Sequence, residues 1–117
     1  MLIAAITATY MAAGHAEISA EEIRRSENCR LAADLAVTIA QQRDLMTQEQ
    51  VVEYLATSPS VMMHDGGSGE ARVVITKLVQ AAYRYSQDGF FKGWIKDMTS
   101  FNCHKENWDL TPVFGPT

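Results

Sequence analysis

The sequence is short of cations and of cysteine, and it lacks a long apolar run. Ten Lys and Arg stand against fourteen Asp and Glu, a formal net charge of −4. That balance argues against wholesale binding to nucleic acid or to an anionic membrane, both of which need a cationic surface. Two cysteines are too few for a multi-disulfide framework or for a zinc site made of four thiolates. No stretch approaches the roughly 20 apolar residues that cross a bilayer, so no stable membrane span is expected. Strand-like alternation is missing throughout. The spacings H-x₃-H, H-E-x-x-H and C-x-x-C are missing too. What is present fits one small globular domain: 117 residues, 47% hydrophobic and 21% charged.

The N-terminal segment LIAAITATYMAA, residues 2–13, is uncharged and precedes the small-x-small triplet Gly14-His15-Ala16. The pattern resembles a secretory signal peptide with cleavage after Ala16, although no Lys or Arg precedes the apolar run. It implies a periplasmic or secreted protein, with residues 1–16 as address and residues 17–117 as a single helical domain. The alternative is a buried N-terminal helix in a cytoplasmic chain.

Helix signals fill the rest. Ser19-Ala-Glu-Glu22 is a capping box, and no Gly or Pro follows until after Leu45. Ile23, Cys29, Ala32, Ala33, Ala36, Ile39 and Ala40 recur at helical spacing, widened by Leu31 and Leu35. A central helix from Ala20 to near Leu45 is expected. Thr47-Gln-Glu-Gln50 is a second capping box, opening a short helix to about Thr57 with Val51, Val52, Tyr54 and Leu55 available for burial. Ser58-Pro59 stops it, and residues 60–63 leave room for a further turn. His64 to Gly69 reads as the most flexible stretch. A third long helix runs from Ser68 or Gly69 to near Gln87, with Ala71, Val74, Leu78, Ala81 and Tyr85 on one face and Arg72, Thr76, Gln80 and Arg84 on another. The last runs from about Gly89 to Lys105, with Phe90, Trp94, Met98 and Phe101 on one face and Lys92 and Lys96 in solvent. The tail from Asn107 to Thr117, with Pro112 and Pro116, reads as irregular. The expected fold class is all-α, a small four-helix domain.

Cys29 lies early in the central helix and Cys103 late in the last one. If those helices are antiparallel or crossing neighbours, the two thiols meet, and export to an oxidising compartment would join them. Two unrelated buried thiols are the alternative. Cys103-His104 is no catalytic dyad by adjacency, since neighbouring helix residues diverge. His64, Asp65, His104 and Glu106 are the candidate metal ligands, without ligand spacing; His64 and Asp65 read as solvated turn residues. Gly66-Gly67-Ser68-Gly69 precedes a helix, as phosphate loops do, yet it follows no strand and carries no Walker lysine. Glu21/Glu22 and Asp34/Asp44 occupy positions that read as exposed rather than as an acid–base pair in a cleft. No catalytic residue, metal or cofactor is expected, and the chain reads as no enzyme.

Thr47 to Met62, TQEQVVEYLATSPSVM, resembles the helix-turn-helix of phage-repressor-type regulators, in which the second helix reads the major groove. The match covers about 16 residues and departs at the decisive places. Ala56 replaces the usual turn glycine, Val52 a small residue, and Ser60 to Gly66 holds no Arg or Lys. Phosphate contacts need cations. The resemblance therefore implies a helix–turn–helix hairpin, with a DNA-binding regulator as the alternative function. A second resemblance spans Cys29 to Cys103. A cysteine opens a long Ala/Leu/Ile helix, followed by Arg43-Asp44, a Thr-x-Glu cap, a helix with Ala82-Tyr83, and an aromatic helix with the second cysteine. This is similar to small exported two-cysteine helical proteins of bacteria and their phages. It implies compartment and fold but no chemistry.

Eight aromatics crowd residues 83–114: Tyr83, Tyr85, Phe90, Phe91, Trp94, Phe101, Trp108 and Phe114. One helix face can bury about half of them. The others, above all Phe91, Trp108 and Phe114, pack under the tail, dimerise or await a partner. Exposed aromatics near lysines are typical of protein interfaces. The expected function is a small exported interaction protein that binds a protein partner through Phe91, Trp94, Trp108 and Phe114 of the aromatic C-terminal third, or through the Gly-rich loop region, with a homodimer open and nucleic acid disfavoured.

Overall fold

The computed structural model describes residues 19–116, and these are all-helical: α1 (Ala20–Ala40), α2 (Gln48–Ala56), α3 (Pro59–Asp65), α4 (Glu70–Tyr85), α5 (Lys92–Lys105) and α6 (Thr111–Phe114). The signal-like segment 1–16 lies outside the described residues.

The capping signals act where the sequence places them. The Ser19 hydroxyl accepts the Glu22 N–H at 3.1 Å and starts α1. At α2 both halves of the box form: Thr47 Oγ1 accepts the Gln50 N–H at 3.2 Å, and Gln50 Oε1 accepts the Thr47 N–H at 2.8 Å. Pro59 sits in the first turn of α3, where its missing N–H breaks no helical bond.

Three expected boundaries shift, each for a visible reason. Helix α1 ends at Ala40, short of Leu45. The Arg43 guanidinium donates to the Ser86 carbonyl, and the Tyr83 hydroxyl donates to the Met46 carbonyl at 2.7 Å. These bonds draw residues 41–46 across the end of α4. The Gly-rich link before α4 is a built cap. The Asp65 carboxylate accepts the N–H groups of Gly69 and Ala71 and the Ser68 hydroxyl. Those N–H groups lie at the N-terminus of α4, where helix donors have no partner of their own. The tail is ordered into α6, whose Pro112 and Val113 are buried along with Trp108 and Leu110 just before it.

The frame is an antiparallel pair. Cys29 of α1 meets Cys103 of α5, and Asp34, further along α1, meets Lys96, earlier in α5. Helix α4 packs against α1, α2 and α5, while α3 packs against α6. The core gathers Ile75, Leu78, Val79, Ile95, Leu110 and the disulfide.

Helix α5 corrects the largest expectation. Its buried face is Ile95, Thr99 and Cys103, at i, i+4 and i+8. Phe90, Trp94 and Phe101, expected together on one face with Met98, are each about half exposed (49%, 54% and 56%). The buried residues of α1 opposite are small: Cys29, Ala32, Ala33 and Ala36. Small side chains bring the two backbones close, and an aromatic ring has no room in that seam. The disulfide fixes Cys103 inward and hence the rotation of the whole helix, about 100° per residue. Ile23 is likewise 60% exposed, although it continues the α1 stripe by spacing, because it lies near the start of α1.

Candidate partner surface

Trp94, Met98, Phe101 and Lys105 follow one another along α5 at spacings of four, three and four, one line on the helix surface. Phe90 and Phe91 extend this line from the preceding loop. Phe91 is 60% exposed and Met98 half-buried. Solvent-facing aromatics of this size, adjacent on one helix, form an apolar patch of the kind that marks interaction surfaces.

Several contacts hold the patch in shape. The Tyr85 and Trp94 rings meet edge to face, centroids 6.4 Å apart at 89°. The Asn102 side chain donates to the Tyr85 hydroxyl. Lys105 Nζ lies 5.7 Å from the centroid of the Phe101 ring, a cation–π arrangement. The Phe91 ring covers Gly89, where a Cβ would come within 2.9 Å of it, and Gly89 has a φ of +143° that side-chain-bearing residues rarely adopt. Below them the helix is anchored covalently, the Cys29 and Cys103 sulfurs being 2.00 Å apart and their Cα atoms 5.6 Å.

The rim is cationic. Helix α5 carries Lys92, Lys96 and Lys105 against one acid, Asp97, in a chain whose net charge is −4. Lys96 donates to Asp34 at 2.9 Å, and Arg30 reaches the same carboxylate at 3.2 Å. The hydrogen bond from Lys96, with the charges of Lys96 and Arg30, holds the Asp34 carboxyl below its ordinary range. Lys96 is thus half-buried and paired, where its spacing suggested free solvent. Lys92 is exposed.

The four aromatics assigned to partner binding divide. Phe91 and Trp94 are on the surface. Trp108 is 4% exposed and lies in the core, so it offers a partner no face. Phe114 is half-buried against the core. Phe101 and Phe90 belong to the surface, and sequence reasoning set them inside. The signal that finds them is Cys103: once it faces inward, Thr99 and Ile95 follow at four-residue steps, and Trp94, Met98 and Phe101 turn outward.

The other candidates stay apart. His64 rests on Gly115, Asp65 is taken up as the α4 cap, and His104 and Glu106 are exposed at the end of α5. No group of three or more His, Cys, Asp or Glu side chains gathers among the described residues. Residues 48–65 form two helices joined by Thr57-Ser58, and α3 turns Met62 and Met63 outward with no Lys or Arg. No helix of the described residues is long and apolar enough to cross a membrane.

Compared with models of known protein families, with curated proteins and with solved structures, the chain matches none.

Proposed function

We propose that this chain is a small, non-enzymatic interaction protein of an oxidising compartment, periplasmic or extracellular, that docks a protein partner on the aromatic face of α5. The observation that carries the reading is the exposure of Phe90, Phe91, Trp94 and Phe101 on one rigid, disulfide-anchored helix. Large aromatics left in water and held in place in advance lose little side-chain freedom on binding, so they suit hot spots. The lysine rim selects the partner: an apolar surface edged with Asp and Glu, which a cationic rim steers and orients. The disulfide supports the compartment, because such bonds persist where thiols are not kept reduced.

The test is site-specific photo-crosslinking in the native host. A photoreactive residue at Phe91 or Phe101 should trap one and the same protein. The same residue at Thr38, exposed on α1, should not trap it. Phe91→Ser with Trp94→Ser should abolish the product while far-UV circular dichroism stays unchanged. An identical product from position 38, or none from either aromatic position, overturns the reading. A product that is a second copy of the chain replaces the hetero-partner with a homodimer.

A further inference from the structure

Helix α5 carries its outward apolar side chains in two rows. Phe91, at the N-cap, and Met98 lie seven residues apart, and Lys105 continues that row after a further seven. Trp94 and Phe101 form the second row, again seven apart. Residues seven apart stand almost in line on a helix. The two rows, three residues out of step, lie about 60° apart around the axis. From Phe91 to Lys105 they run for about 21 Å.

The other side of the helix is taken. Cys103 is bonded to Cys29 of α1, Lys96 reaches Asp34, and Ile95 and Thr99 are buried. The two rows therefore top a ridge whose base is fixed, with Phe91, Trp94 and Phe101 exposed and Met98 half-buried. Charges punctuate it: Lys92 near the start, Asp97 midway and Lys105 at the end. None of these three is in an ion pair among the described residues.

Anchors at steps of three and four are the pattern of a helix that binds along one face. Their size decides what lies opposite. Two helices that meet along such a seam fill it with Ile, Val and Leu. Phe and Trp bury about 150–250 Å² each and seat in pockets. A second copy of the chain offers a ridge of the same shape with the same excess of lysine, so it is no complement.

Given the docking role of α5 proposed above, we infer that α5 enters its partner as a ridge enters a groove. The partner's site is an apolar trough about 20 Å long. One wall meets Phe91 and Met98, and the other meets Trp94 and Phe101. Acids stand on its lip beside Lys92 and Lys105, and a cation or N–H donor stands midway beside Asp97. Because the ridge is already folded, entry orders little of this chain.

The experiment places p-benzoylphenylalanine in turn at positions 91, 94, 98 and 101 of the full chain in the native host, and reads the attachment sites by mass spectrometry of the crosslinked peptides. Positions 91 and 98 should attach to one segment of the partner. Positions 94 and 101 should attach to a second segment, more than about one helix length, or 15 residues, away in its sequence. Lys92→Glu with Lys105→Glu, checked for unchanged far-UV circular dichroism, should lower the yield about tenfold. Attachment of all four positions within one stretch, at steps of three and four, means that a single helix lies against α5; that overturns the groove and leaves the docking role standing. Attachment to a second copy of the chain, or an unchanged yield in the lysine variant, also overturns it. No product from any position removes the docking role itself and the groove with it.

Discussion

The carboxylate of Asp65, the last residue of α3, accepts the backbone N–H of Ala71 at 2.8 Å, inside the first turn of α4. It also accepts from Gly69 at 3.0 Å. One side chain thus ties two helices together and supplies partners to donors that a helix start leaves open. These backbone bonds, Ala71 first and Gly69 next, hold the Asp65 carboxyl below its ordinary range. A lowered folded-state pKa contributes stability that is present above the unfolded value and is lost as pH falls through the folded one. Asp65→Ala should therefore unfold at a lower temperature than wild type at pH 7. The gap should narrow as pH drops below the ordinary carboxylate range. Thermal melts of both proteins across that range check it, and a gap independent of pH would reject the capping role. Asp34 and Glu27, also lowered by ionic partners, titrate in both proteins and cancel in the difference.

The disulfide joins residues separated by 74 positions. In the chain-entropy model a loop of that size stabilises by roughly 4 kcal/mol. That is a large share of the roughly 5–15 kcal/mol available to a small domain. Reduction should lower the urea midpoint strongly, and Cys29→Ala with Cys103→Ala should reproduce the reduced protein. Intact mass should rise by two hydrogens on reduction. An unchanged midpoint after confirmed reduction would show that packing of α1 on α5 suffices alone.

The rotation of α5 makes neighbouring residues unequal. Ile95 is fully buried and Trp94 is 54% exposed. Ile95→Ala should destabilise by about 2–5 kcal/mol, the usual range for emptying a core site. Phe101→Ala should stay within about 1 kcal/mol, as for a surface change, with a small part of that from the Lys105 contact. Chemical denaturation of the two variants decides it. The reverse order would mean that the aromatic line faces inward.

Why the sequence places some elements and misplaces others is clearest along α1 and α5. The α1 stripe from Cys29 to Ala40 is legible because small apolar residues recur there with nothing competing for burial, and the cysteine pair follows from two helices lying side by side. The caps at Ser19 and Thr47 are local chemistry and need no tertiary partner. Helix α5 offers two apolar lines instead, an aromatic one and the line of Ile95, Thr99 and Cys103. Hydrophobicity alone favours the aromatics. The choice falls the other way because the close seam with the alanines of α1 leaves no room for an aromatic ring, a property of the partner helix. For Trp108 the sequence leaves two alternatives, closing the core under a folded-back tail or awaiting a partner, and the structure takes the first. Its burial depends on the chain folding back after Asn107, whose φ of 52° reverses the backbone. The Trp108 N–H then donates to the Cys103 carbonyl at 3.0 Å, a helix-ending bond of the Schellman kind. In sequence Asp65 reads as a solvated turn residue because its partners are backbone N–H groups, which a sequence does not display.

Gly115 provides a sharper test of how the tail is held. Its φ is +79° and its ψ 171°, a region essentially reserved for glycine. A Cβ there would lie 2.6 Å from Cε1 of His64. Gly115→Ala should thus destabilise through two separable effects, backbone strain of about 1–3 kcal/mol and a clash with the imidazole. His64→Ala removes the clash and leaves the strain. The double variant should be more stable than the two single changes added together, and that difference is the energy of the clash between the added Cβ and the imidazole. Strict additivity would mean that the imidazole moves aside freely and that backbone strain is the whole cost of Gly115→Ala.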